Sequence, residues 1–271
     1  MFKDITIGQY YPVDSILHKL DPRVKLFGTL VYIISLFIFK GPIGIVLILG
    51  FLAAVIALSK VPLKFMLKGL RGIVFLMVFA GLINLFMTNG DIIWEWKKLH
   101  ITQQGLENCV LMTSRMMLLI IGSSIMTLTT TPNSLTDGLE KSLKPLAKIK
   151  VPVHDISMMM SIALRFIPIL AEETDKIQKA QMARGAIFDG KNIIKKIKAM
   201  IPLLVPLFVS AFRRANDLAL AMEARCYNGG EGRTKMHPLR YVKRDVIAYI
   251  VLWAFLALVI AVRILWVKVM A

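Results

Sequence analysis

Five apolar stretches, at 24–39, 42–58, 70–88, 105–130 and 245–267, approach or exceed the length a helix needs to cross a bilayer. At 1.5 Å per residue, about 20 residues cover the hydrocarbon core. The expected fold is therefore an all-α polytopic membrane protein with about five transmembrane helices. A hydrophobic share of 56% in 271 residues is above that of ordinary soluble domains. Yet the chain carries 34 Lys and Arg against 17 Asp and Glu. Very apolar and very basic blocks must alternate along it. Four parts are expected: a cytoplasmic segment 1–23, a four-span region 24–130, a cytoplasmic helical region 131–244 and a final span 245–271.

Only Lys40-Gly41-Pro42 separates the first two runs, which therefore read as a tight helical hairpin. The fourth run contains Arg115 and the threonines near 127–131, so its lipid-facing part is shorter than the run. A buried arginine faces the bundle interior or a partner. No acidic residue in a neighbouring span turns Arg115 into a relay.

Orientation follows from the excess of Lys and Arg on the cytoplasmic side. With the N-terminus in the cytoplasm, segments 1–25, 59–71 and 131–244 lie inside. They hold every Lys and Arg except Lys40, Lys97, Lys98, Arg115, Arg263 and Lys268. Five spans place the C-terminus outside. Trp94 and Trp96, in the outer loop NGDIIWEWKKLH, suit the aromatic belt at a membrane interface.

The segment 131–244 is too long for a plain loop and should form helices of its own. Thr131-Pro132, then Ser134 with Asp137, marks a helix start, and Pro145 interrupts the helix after Lys144. Two long helices follow, expected at Val153–Arg184 and Asn192–Arg225. Each has an apolar stretch and a charged end. Pro168, Pro202 and Pro206 invite kinks. Composition supports two readings equally. The helices form a cytosolic hairpin packed on itself, or they lie along the membrane face and offer an adaptable, methionine-rich surface to another membrane protein.

The two helix ends repeat. Ala180-x-x-Ala183-Arg184 matches Ala221-x-x-Ala224-Arg225. For one copy, capping suffices: an arginine in the last turn suits the helix dipole, and Gly185 is an ordinary cap. Capping does not require Ala-Arg, so two copies on adjacent helices ask for more. Small alanines let a helix tip enter a groove, where a guanidinium can meet a carboxylate in a forked pair.

Other chemistry is missing from the sequence. There is no phosphate-binding G-x-x-x-x-G-K-[ST] loop, no H-E-x-x-H and no G-x-S-x-G. No catalytic residue and no metal ligand is assigned. Cys109 and Cys226 are far apart. Glu172, Glu173 and Asp175 do not converge on one point at these helical spacings, and with Lys176 and Lys179 nearby they read as a solvated surface. Nucleic acid is not needed to explain the basic segment, because anionic lipid and orientation already account for it.

The N-terminal SILHKLDPRVKL, residues 15–26, resembles the S-x-L-H-x-L-D-P-R-x-K motif of the transmembrane T component of energy-coupling factor transporters. The twin endings Ala183-Arg184-Gly185 and Ala224-Arg225-Cys226 resemble that family's paired Ala-Arg-Gly motifs. The likeness covers the whole chain. It implies a non-catalytic scaffold in a prokaryotic cell membrane that joins two cytosolic ATP-binding-cassette ATPases to one small substrate-binding membrane subunit, dedicated or exchanged among several. It also implies uptake of vitamins or other micronutrients, no cofactor on this chain, and ATP with Mg on the partner ATPases. The crossing coupling helices would place Arg184 and Arg225 in ATPase grooves, with Ala183, Gly185, Ala224 and Cys226 allowing close approach. Their apolar stretches would contact the substrate subunit, with Met158, Met159, Ile162 and Phe166 on the first helix and Leu203, Leu207 and Phe208 on the second. Cys226 departs from the usual glycine, which leaves open a cap through Asn228-Gly229-Gly230 and a pair of non-identical ATPases. Two other classes compete. An integral-membrane enzyme acting on lipid or prenyl groups would need a convergent acidic or nucleophilic site, and a self-contained carrier would need ionisable groups buried in its spans.

Overall fold

The computed structural model describes residues 10–38, 41–70, 72–88, 90–96, 99–186, 193–229, 236 and 238–270. Its described residues form two units, one within 10–141 and 239–270, the other within 142–238.

In the first unit, α1 (Pro22–Ile38) and α2 (Pro42–Ser59) stand where the hairpin was expected. Pro42 occupies the first turn of α2, where its missing N–H costs nothing. The third run differs from its expectation. It is shortened to α4 (Val74–Met87), and a separate helix, α3 (Leu63–Leu70), precedes it in the stretch expected as an inside turn, with the Ile73 amide donating to the Leu70 carbonyl between them. At 14 residues α4 reaches only about 21 Å. The basic stretch 59–71 is thus no simple loop. Its Val61, Met66 and Leu70 are buried, and α3 packs on α5 (Gln103–Thr129).

The expected outer loop also holds more structure than the sequence reading gave it. Strands β1 (Ile92–Trp96) and β2 (Leu99–Thr102) pair antiparallel, Ile92 opposite Thr102 and Trp96 opposite Leu99. The all-α architecture therefore carries one small hairpin. The side chains of Trp94 and Trp96 lie outside the described set. Thr102 links the hairpin to the helix. Its Oγ1 donates to the Thr88 carbonyl and accepts from the Gly105 amide, capping α5.

The first unit's core joins α1, α2, α3, α5 and α9 (Lys243–Met270) through residues including Tyr32, Leu36, Ile48, Met66, Leu118 and Phe255. Tyr32 lies against Gly122, where an added Cβ would fall 2.2 Å from its ring. Its hydroxyl donates to the Leu118 carbonyl at 2.9 Å. Small residues let helices approach closely in lipid, where packing replaces the hydrophobic drive. Arg115 is half-buried, its guanidinium 5.9 Å from the Phe37 ring. Many large apolar side chains point outward; Phe75, on α4, is 82% exposed. Helices α2, α5, α7 (Val153–Ala183) and α9 are long and apolar enough to cross a membrane, and α4 is a shorter apolar helix.

The N-terminal motif is a knot that fastens the helix ends of this unit. The Asp21 amide donates to Asp245 Oδ1 at 2.9 Å, and Asp245 Oδ2 accepts from the Val242 amide at the start of α9. Arg23 makes a forked pair with Asp21 (3.0 and 2.8 Å) and lies 3.7 Å over the Tyr241 ring. Lys25 Nζ donates to the carbonyls of His18 and Thr129, the latter closing the end of α5. A carbonyl can only accept, so His18 Nε2 carries the proton it gives to Tyr11 O at 3.0 Å. Ser15 Oγ then donates to Nδ1 at 2.6 Å. Helix α6 (Pro132–Leu143) starts at Pro132, as its sequence signal predicts.

Candidate functional site

The second unit contains a 3₁₀ turn (Lys144–Ile149), α7 and α8 (Ile193–Ala224). The turn begins where Pro145 interrupts the preceding helix. Asn192, the expected start of α8, lies outside the described residues. Both long helices run on through Pro168, Pro202 and Pro206.

The two helix ends are built alike, bond for bond. At the end of α7, the Gly185 amide donates to Met182 O and the Ala186 amide to Gln181 O, both at 3.0 Å. At the end of α8, the Cys226 amide donates to Glu223 O at 2.8 Å and the Tyr227 amide to Met222 O at 3.0 Å. Each pair is a Schellman cap, which needs a left-handed residue just beyond the helix. Gly185 takes that place with φ +89°, and Cys226 takes it with φ +55°. The second cap therefore does not move to Asn228-Gly229-Gly230. Cysteine itself adopts the conformation glycine adopts in the first. Nothing lies within 4 Å of where a Gly185 side chain would stand, so its backbone conformation, not space, calls for glycine there.

Ala183, Arg184, Gly185, Ala224, Arg225 and Cys226 are all exposed. Both arginines sit on bare helix ends, which lets a partner reach the guanidinium fork and the small residues beside it.

The sequence reading placed Glu173 on a solvated surface. The structure corrects this. Glu173 Oε2 accepts from Arg214 Nη2 at 2.8 Å and Nε at 3.2 Å, and Ser210 Oγ donates to its other oxygen. Asp175 does pair within its own helix, with Lys179 at 2.8 Å. The Ser210 hydroxyl, and then the Arg214 guanidinium, hold the Glu173 carboxyl below its ordinary range. Glu173 and Arg214 are 41 positions apart, the same offset that relates the two caps. Each also stands eleven residues before its own tip arginine. The clasp between α7 and α8 thus falls about 16 Å along the helix from either tip.

Of the apolar residues expected to meet a membrane partner, Met159 and Phe208 are exposed. Met158, Ile162, Phe166, Leu203 and Leu207 are half-buried. The exposed apolar residues of α8 include Ile201, Leu204, Val205, Phe208, Val209 and Phe212, spaced as one helix face. Leu203 and Leu207 lie beside this stripe, and Phe208 lies on it. Among the described residues, no three His, Cys, Asp or Glu side chains gather to hold a metal ion.

Comparison with known proteins follows the same lines. The family described as cobalt transport protein, CbiQ, matches residues 14–236. The energy-coupling factor transporter transmembrane protein EcfT of Ruminiclostridium cellulolyticum is 54% identical over 91% of this chain and 92% of its own. That of Clostridium kluyveri is 51% identical over 99% of this chain and 100% of its own. The Bacillus subtilis protein of the same name is 45% identical over 94% and 98%.

Proposed function

This chain belongs to the CbiQ family and to the energy-coupling factor transporter transmembrane proteins within it, and from that premise we propose how it works. It is a multi-pass scaffold of a prokaryotic cell membrane, with its N-terminus in the cytoplasm and its C-terminus outside. It binds no cofactor and performs no chemistry of its own. Two cytosolic ATPases of the ATP-binding-cassette type hold ATP and Mg and receive the tips of α7 and α8. One small membrane subunit reads the substrate, a vitamin or another micronutrient.

The single observation that carries this reading is the pair of matched tips. Two long helices end in the same cap, present an exposed arginine at the same point, and are clasped at the same distance behind it. Two like tips suit two like receivers. Helix α7 has the length and apolarity of a span. We assign it to the cytoplasmic face because its second half carries Glu172, Glu173, Asp175, Lys176 and Lys179 and is joined to α8 by an ionic clasp. Closure of the ATPase pair on ATP would move the two tips relative to each other. The clasp would pass that motion to the apolar halves, which reorient the substrate subunit.

The experiment is a double charge reversal, Arg184→Glu with Arg225→Glu, in the assembled transporter. Both ATPases should dissociate on purification, and uptake should stop. Unchanged co-purification together with unchanged uptake would overturn the proposal.

A further inference from the structure

A cavity of about 380 Å³ lies in the first unit, floored by α1 and α5 and walled by α2 and α9. It is a slot between these helices. Phe51, which lines it, stacks on Phe255, 3.9 Å between centroids and 16° between planes. From there α2 and α9 line the opening as far as Leu58 and Arg244.

Its wall is almost wholly apolar, and nearly every polar side chain on it is already engaged. Lys25 Nζ donates to the His18 and Thr129 carbonyls. The hydroxyls of Thr29, Tyr32 and Thr129 donate to the carbonyls of Lys25, Leu118 and Ile125. Arg244 is different. It is exposed at the mouth, and among the described residues it has no ion-pair partner. The slot therefore asks for a long apolar body with one anionic end.

Its depth narrows the choice. Along α9 its lining runs from Arg244 to Leu252, a rise of about 12 Å. That lies within one leaflet of a hydrocarbon core of roughly 30 Å. Basic pockets between transmembrane helices bind anionic headgroups. We propose that this slot is a binding site for one anionic phospholipid, an acyl chain lying along α1 between α2 and α9 and the phosphate on Arg244.

The test is native mass spectrometry of the purified full chain after exchange with mixed micelles holding equal phosphatidylglycerol and phosphatidylcholine. The wild-type chain should retain one phosphatidylglycerol in preference to phosphatidylcholine. Arg244→Ala should cut that retention about tenfold, and Arg244→Lys should keep most of it. Ala248→Phe, which fills the slot, should abolish it. Arg263→Ala, toward the other end of α9, should leave it unchanged. Equal retention of the two lipids by the wild-type chain would overturn the proposal. So would undiminished retention by Arg244→Ala, or a co-purified protein segment in the slot in place of lipid. The Arg244 variants alter an exposed side chain, so the outcome does not depend on Ala248→Phe folding.

Discussion

Glu173 and Arg214 hold each other at 2.8 Å from positions equally far from the two helix tips. An ion pair at this point fixes where α7 and α8 meet without restraining the tips. Both partners are partly exposed, so the pair adds about 1 kcal/mol or less to stability. Its weight falls on geometry. Glu173→Arg should reduce ATP-driven uptake several-fold while both ATPases still co-purify. The exchanged pair, Glu173→Arg with Arg214→Glu, should restore most of that loss. An exchanged pair no better than the single variant would mean that the clasp has no positional role.

The caps give a second prediction. A non-glycine residue in the left-handed region is strained by about 1 kcal/mol. Cys226→Gly should relieve that strain and strengthen the end of α8. Gly185→Ala should impose it on α7. Amide exchange at Tyr227 and Ala186 reports the two caps directly, and the two variants should shift it in opposite directions. Equal exchange in Cys226→Gly and the parent chain would refute the strain.

Much of this was legible along the chain because the signals are local. Apolar length placed a helix in each of the five expected runs, the third of them shortened, and Arg184-Gly185 marked the end of α7 to within one residue. Helix α3 was hidden because Lys60, Lys64 and Lys68 drew attention to charge, while buried Val61, Met66 and Leu70 carry the packing. Strand β1 was hidden in the same way, its Trp94 and Trp96 reading as interface anchors. Glu173 was misread for a different reason. Spacing rules see partners three or four residues away on one helix, and its partner lies on another. The offset between the repeated tips, applied to Glu173, does point to Arg214.

The N-terminal knot should make stability depend on pH. Burial lowers the pKa of His18 below 6.5, only partly opposed by its bond to the Tyr11 carbonyl. The unfolded chain therefore takes up this proton before the folded one does. The sign follows: the contribution is complete above pH 6.5 and is lost as pH falls from there through the folded value. Asp21 acts lower on the scale. Burial raises its pKa, but the Arg23 guanidinium and amide outweigh that and leave it below 3.8. Its contribution is present above pH 3.8 and is lost as pH falls through its folded value. Thermal melts in detergent should fall between pH 7.5 and 5, and His18→Gln should flatten that slope. A slope unchanged in His18→Gln would remove His18 as its source.

The contact between Tyr32 and Gly122 makes the last prediction. An alanine at 122 would put its Cβ 2.2 Å from the Tyr32 ring, too close for the ring to remain where it is. Overpacking of this kind costs about 1–3 kcal/mol. If Tyr32 turns away, its hydroxyl also leaves the Leu118 carbonyl, a bond worth about 1 kcal/mol. Gly122→Ala should therefore lower the melting temperature more than Tyr32→Phe, which loses only the bond. Gly122→Ala combined with Tyr32→Leu should recover part of the loss, because the clash is removed along with the ring. Additive losses in that double variant would mean that the two residues do not share one contact, and that α1 and α5 are held together elsewhere in the core.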